Sequence, residues 1–263
     1  MDMSRGEFLK YIITGIATLS LPGCLSFVRL DKEYDYTDNL LGPLDLTSTI
    51  PITNDTTFFV SGHSDVIKSV GSGIIYNNDY VITANHVIDF QGIPTQTPFG
   101  TIHRTPDDYD QKLSSNHLEL DVIHQYPQYD LALLTNPYPA CGSEIITNCP
   151  ADLGDSDELH NGQIIVSEAN AQGLHPFYSR SLVARTSIPS SISKTIPLEK
   201  LTNTDFFLGH YSSVPGYSGG GVYAIRDGIP EVVGMHKMAS QDGAFGIIHK
   251  INSINSILQD YVR

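Results

Sequence analysis

Gly216-Tyr217-Ser218-Gly219-Gly220-Gly221 is the stretch on which the reading of this chain turns. A serine hydroxyl is a weak nucleophile. It needs a base to take its proton and a site that stabilises the oxyanion formed when it attacks a carbonyl. Glycines on both sides let the backbone turn sharply and approach a bound molecule closely, since they carry no Cβ. In such a turn the N–H groups of Gly216 and Ser218 point together and form a candidate oxyanion site. The hexapeptide is equally compatible with a Gly-rich hairpin turn holding an incidental serine, so its meaning depends on what the rest of the chain supplies.

A base is found upstream. Gly71-Ser72-Gly73-Ile74-Ile75-Tyr76 and Tyr80-Val81-Ile82-Thr83 are two short β-rich runs joined by Asn77-Asn78-Asp79, a hairpin signal. His86 stands at the end of the second run, just after the small residues Thr83 and Ala84. Further on, Asp130 opens the apolar strand Leu131-Ala132-Leu133-Leu134. A carboxylate there is costly to bury without a partner, and a histidine N–H is a fitting one. Asp121 is the rival acid, but it ends the more polar run Asn116-His117-Leu118-Glu119-Leu120. His117, His124 and His210 lack a small-residue strand end in front of them. The candidate constellation is therefore His86, Asp130 and Ser218, in that order.

The segments Gly71-Ser72-Gly73, Thr83-Ala84-Asn85-His86, Asp130-Leu131-Ala132-Leu133-Leu134 and Gly216-Tyr217-Ser218-Gly219-Gly220 together resemble the trypsin-like serine peptidases of the chymotrypsin superfamily, in their bacterial branch. The chain is similar to glutamyl endopeptidases and to HtrA-like catalytic domains. Strand-like segments with turn signals dominate from Thr57 to Ile248, so the residues themselves point to an all-β fold. Ile254, Ile257, Leu258 and Val262 recur at helical spacing and predict a C-terminal helix. The resemblance adds two six-stranded antiparallel β-barrels, at about 56–145 and 155–250, with the helix at 251–262 and the peptidase domain over 56–263.

The resemblance also implies roles. His86 would be the general base and acid, Asp130 its orienting partner and Ser218 the nucleophile, with the N–H groups of Gly216 and Ser218 as the oxyanion hole. The implied activity is that of a serine endopeptidase working through an acyl-enzyme on polypeptide substrates, without a cofactor. Two positions depart from the digestive enzymes. Tyr217 stands where those have an aspartate that pairs with a freshly cut N-terminus, and Gly221 replaces a proline or alanine. Glu231-Val232-Val233-Gly234-Met235-His236 resembles the strand lining the primary specificity pocket, with Ser212 and Ser213 as further lining. A histidine at this place in the glutamyl endopeptidases recognises an acidic P1 side chain, and viral relatives use one for glutamine. If His236 is only a packing residue, the pocket takes small apolar side chains as in the HtrA-like enzymes. Loss of catalysis would instead leave a peptidase-like binding module on the cell envelope.

The N-terminus reads as an export segment. Arg5 and Lys10 flank a polar start, and the apolar run Tyr11–Leu21 is shorter than the ~20 residues of a membrane span. Leu21-Pro22-Gly23-Cys24 resembles a bacterial lipobox with Cys24 as the lipidated residue, although proline is an unusual occupant. Residues 1–24 are thus expected to be a signal and lipoprotein segment and 25–55 a tether. The expected location is the bacterial cell envelope, with the protein exported, lipid-anchored to the membrane and facing the periplasm or the exterior. Cys141 and Cys149 remain as an even pair that could close a small loop in an oxidising compartment, or stay as two thiols.

The formal net charge of −14 and the absence of any basic run exclude a nucleic-acid partner. With 40% hydrophobic and 17% charged residues the composition is that of a globular chain. The ten histidines show no His-x-x-x-His or Cys-x-x-Cys spacing, so no metal is expected, and the chain is taken as a monomer.

Overall fold

Apolar alternation in the short strands of this chain serves two cores at once. A computed structural model describes residues 57–63, 68–77, 79–90, 93–94, 99–101, 118–136, 152–170, 176–193, 201–211, 213–240, 244–259 and 261. All of them belong to the compact unit 39–263. Cys24, Cys141, Cys149, Ser212 and the export and tether segments lie outside the described residues.

The first sheet is built from β1 (Thr57–His63), β2 (Lys68–Tyr76), β3 (Tyr80–Thr83), β6 (Phe99–Thr101), β7 (Leu118–Glu119), β8 (Val122–Tyr126) and β9 (Leu131–Thr135). Its strands run in the order β7-β6-β1-β2-β3-β9-β8, and every pairing is antiparallel. A separate small hairpin joins β4 (Asp89–Phe90) to β5 (Ile93–Pro94). The predicted hairpin is present: Tyr76 faces Tyr80 across the turn, and Asn77 takes the left-handed conformation with φ 49°. Asparagine tolerates that region better than most residues, which is why the turn sits there.

Side chains alternate across a strand, so one run can feed two layers. In β9, Ala132 and Leu134 pack with Ile75, Val81, Val87 and Leu120. Leu131 and Leu133 point the other way and join Ile74, Ile82 and Tyr126 with Tyr223, Met235, Ile254 and Leu258 of the second half. The core is thereby continuous from one sheet to the next.

The second sheet comprises β10 (Asp152–Leu153), β11 (Ile164–Asn170), β12 (Pro176–Arg185), β13 (Phe206–Gly209), β14 (Gly221–Arg226), β15 (Ile229–Ala239) and β16 (Gly246–Lys250). Because β15 pairs with both β14 and β16, the six strands β15-β14-β11-β12-β13-β16 close into an antiparallel barrel. The short β10 adds in parallel to β15 at Glu231 and Val232, before β16 joins that strand. The barrel holds Ile165, Val183, Phe207, Tyr211, Tyr217, Val222, Val233 and Ile248 inside. The all-β class with a closing helix follows as expected.

Three helical details differ from expectation. His86 is on a one-turn helix, α1 (Asn85–Ile88), rather than at a strand end, because Ala84 leaves the strand and its carbonyl accepts from Val87 N–H at 3.0 Å. A second one-turn helix, α2 (Ser190–Ser193), sits between β12 and β13. The C-terminal helix, α3, spans Ile251–Leu258 rather than 251–262. Ile251, Ile254 and Leu258 are its buried positions, and beyond them the ring of Tyr261 lies 4.6 Å from that of His124 on the first sheet. Tyr76 Oη donates to Asn255 Oδ1 at 2.8 Å, so α3 is tied to the first sheet while it caps the second.

Candidate active site

The site begins with a strained acid. The 3-10 turn Pro127–Tyr129 ends at Asp130, which adopts φ 47° and ψ 50°, the left-handed region. Aspartate is among the few non-glycine residues that occupy it at modest cost. The turn aims the carboxylate at α1. Asp130 Oδ2 lies 2.9 Å and Oδ1 3.1 Å from His86 Nδ1, and Oδ1 also accepts from His86 N–H at 2.8 Å. A carboxylate accepts only, so the ring proton sits on Nδ1 and the Nε2 lone pair is free to face outward. Asp121 is exposed and, among the described residues, bonds to Thr135 alone, through its backbone. The structure brings Asp130, not Asp121, to the histidine.

Lys237 is the unexpected member of this group. Its side chain is fully buried, and Nζ donates to the carbonyl oxygens of Tyr129, at 3.1 Å, and Asp130. The Asp130 carboxylate lies 3.7 Å from the same nitrogen. Burial alone would raise the Asp130 carboxyl, but Lys237 and His86 outweigh it and hold it well below the usual carboxylate range. Burial likewise pulls Lys237 below the ordinary lysine value.

Ser218 arrives from the second half, on the turn between Pro215 and Gly220. Ser72 N–H donates to the Ser218 carbonyl at 2.7 Å, which docks the turn on β2. Ser72 Oγ donates to the Gly216 carbonyl at 2.8 Å and accepts from Asn170 N–H at 2.7 Å. Gly216 (φ 97°) and Gly219 (φ 85°) hold conformations that side chains disfavour, and a Cβ on Gly219 would collide with the Ser72 carbonyl oxygen. Neither Gly216 N–H nor Ser218 N–H is engaged by a partner among the described residues. Ser218 Oγ donates to the Lys237 carbonyl at 3.2 Å, and it makes no hydrogen bond to His86.

Next to Lys237 on β15, His236 faces the opposite layer. Its ring is 5.5 Å from that of Tyr217 and 5.8 Å from that of Tyr211, and it is buried. Neither ring nitrogen has a hydrogen-bond partner among the described residues. Burial, and then the nearby His86, push its pKa down to about 3, so the ring is neutral. Ser213 is half-buried on the approach to the Ser218 turn. Among the described residues no three His, Cys, Asp or Glu side chains converge as a metal site requires.

Sequence reasoning missed Lys237, Ser72 Oγ and Asn170. Ser72 stood inside a recognised segment, yet nothing in the sequence signals that its hydroxyl bridges two halves of the chain. Lys237 carried one usable sign: a lysine inside the run Val232-Val233-Gly234-Met235-His236-Lys237-Met238, apolar but for it and His236, must find buried acceptors.

A β-barrel paired with a second antiparallel sheet, with a histidine–aspartate pair on one and a glycine-flanked serine turn on the other, defines the chymotrypsin-like class. The sequence profile of the trypsin-like peptidase domain matches residues 71–235, and the chain belongs to that family. No curated protein matches the chain by sequence. Among solved structures it is similar to the HtrA-type protease AlgW with tripeptide, with 16% identity and a TM-score of 0.64. That match covers 84% of this chain and 64% of AlgW, so the chain spans just under two thirds of that protein. The Rv3671c protease from M. tuberculosis in its active form is 15% identical with a TM-score of 0.61, over 87% of this chain and 92% of that one. A serine endoprotease from Yersinia pestis is 16% identical with a TM-score of 0.60, over 83% and 66%. At these identities the likeness is one of fold.

Proposed function

We propose that the chain is a serine endopeptidase in which Ser218 is the nucleophile, His86 the general base and acid, and Asp130 the group that orients and charges the base. The observation that carries the reading is the three-bond seating of Asp130 on His86, which directs the Nε2 lone pair away from the acid. The Ser218 hydroxyl rotates from the Lys237 carbonyl toward that lone pair when a scissile carbonyl arrives. His86 takes its proton, the Ser218 oxygen bonds to the carbonyl carbon, and the oxyanion is stabilised by the Gly216 and Ser218 N–H groups. His86 then protonates the leaving amine, and water hydrolyses the acyl-enzyme by the same steps. The test is labelling with a fluorophosphonate: the wild type becomes covalently tagged and Ser218→Ala does not.

The P1 side chain is a glutamate or glutamine in this reading. A buried histidine with both ring nitrogens unsatisfied lacks a partner, and a substrate oxygen would supply one. A neutral ring offers one N–H donor, which suits an amide oxygen or a carboxylate equally in geometry. A cleavage profile on a peptide library tests this, with preference for small apolar P1 residues as the opposing outcome.

The binding-module reading draws on one observation, the Ser218 hydroxyl held by Lys237 rather than by His86. Absence of fluorophosphonate labelling on folded protein would favour it. Export with a lipid on Cys24 and a loop closed between Cys141 and Cys149 complete the proposal; the lipobox-like Leu21-Pro22-Gly23-Cys24 and the even cysteine pair support them.

A further inference from the structure

The proposed triad needs no lysine, yet a fully buried one stands against its acid. Three oxygens surround Lys237 Nζ: the carbonyls of Tyr129 and Asp130 and the Asp130 carboxylate. An ammonium offers three donors, whereas a neutral amine has two and a lone pair that would face an acceptor. The surroundings are therefore those of a charged group. The same residue's carbonyl accepts from Ser218 Oγ at 3.2 Å. One residue of β15 thus touches the turn that presents the acid, the acid itself and the proposed nucleophile.

We infer that Lys237 is a positioning residue of the peptidase site: its ammonium clamps the left-handed turn at Asp130 and balances the buried carboxylate, so that the acid stays seated on His86 and in register with Ser218. The inference rests on the triad reading and deepens it. Two carbonyl oxygens of one strained turn converge on Nζ, so the clamp acts on the backbone that aims the carboxylate as well as on its charge. Other titratable groups face this cluster. His86 binds the same carboxylate, and His249 of β16 is held well below the ordinary histidine value by burial and then by Lys237 itself. His236, its strand neighbour, turns its ring to Tyr211 and Tyr217. Neutral His249 and His236 leave Lys237 as the buried cation that offsets Asp130.

Without the ammonium, burial would act on the carboxyl with only His86 to oppose it, and Asp130 would take a proton at higher pH. A protonated acid cannot hold the base. The acid limb of activity should therefore move upward in a Lys237→Met variant, whose side chain keeps length and loses charge. The experiment measures the rate of Ser218 labelling by a fluorophosphonate from pH 4 to 9 on the full chain. In Lys237→Met the expected result is a rate at least tenfold lower at its optimum, with the acid limb about one pH unit higher. An unchanged profile, or a uniformly lower rate with the limb unmoved, overturns the inference. A Ser218→Ala control separates the two levels: if it labels like the wild type, the triad reading itself fails. If Lys237→Met does not fold, the 15Nζ resonance of wild-type Lys237 decides. An ammonium at pH 7 supports the clamp, and a neutral amine overturns it.

Discussion

Ser72 Oγ, on the first sheet, donates its proton to the Gly216 carbonyl on the second half at 2.8 Å while accepting the Asn170 N–H at 2.7 Å. The bond holds the Gly216–Tyr217 peptide, whose own N–H donates to the Val214 carbonyl at 3.2 Å, and so restrains Gly216 next to the N–H proposed for the oxyanion hole. Both partners are buried backbone groups, so removing the hydroxyl strands one donor and one acceptor. Ser72→Ala should cost about 2–3 kcal/mol of stability and lower kcat more than it raises KM. Denaturant titration and steady-state kinetics read the two effects. A KM-only change would show that Ser72 does not set the oxyanion geometry.

Ser218→Ala should abolish nearly all peptidase activity, by several orders of magnitude, and leave stability close to that of the wild type. Among the described residues the lost hydroxyl makes a single bond, to the Lys237 carbonyl at 3.2 Å. Activity assays beside a thermal melt check both halves of the statement.

Asp130→Asn should lower turnover by about 10⁴, since an amide favours the wrong imidazole tautomer. Asp121→Asn, at an exposed position, should change the rate by less than about twofold. Reversal of the two results would mean that the acid is Asp121.

Acid should unfold this protein earlier than its carboxylates alone would dictate. His236 is pushed from 6.5 to about 3 in the folded state, so the unfolded chain binds its proton first as pH falls. Stability is fully present above about pH 6.5 and is lost progressively as pH falls toward 3. His249, also held low by burial, adds in the same direction. Between pH 6.5 and 5 the loss should be about 2 kcal/mol for His236. A His236→Phe variant should flatten the stability–pH curve over that range. Denaturant midpoints at several pH values measure it, and an equally steep variant curve would refute the assignment.

Cys24→Ser should move the protein from the membrane to the soluble fraction without loss of catalysis. Fractionation of cells expressing each form reads the outcome. Wild-type protein already in the soluble fraction would count against the lipid anchor.

The histidine–aspartate pair was legible because each residue carried a local sign: small residues before His86, and an acid opening an apolar strand at Asp130. The serine turn was legible from its glycines, whose need is visible in the positive φ of Gly216 and Gly219. Lys237 and Ser72 were not, for a physical reason. Their partners lie 107 and 144 positions away, and a buried lysine or serine looks in sequence like any other until the chain is closed. The end of α3 at Leu258 was not legible either, because periodicity marks which face of a helix is apolar and does not set where the helix stops.

Closure of the second barrel has a consequence in time. The strand that completes it, Gly246–Lys250, pairs with both Phe206–Gly209 and Ile229–Ala239, and it leaves the ribosome after every strand it joins. Until it arrives, β15 has one edge open, and that strand carries Lys237, whose side chain meets the Asp130 turn. A partly made chain thus carries His86 and Asp130 in one half and Ser218 in a half that is still unsealed. Under the proposed function, competence to cut would therefore wait for this last strand.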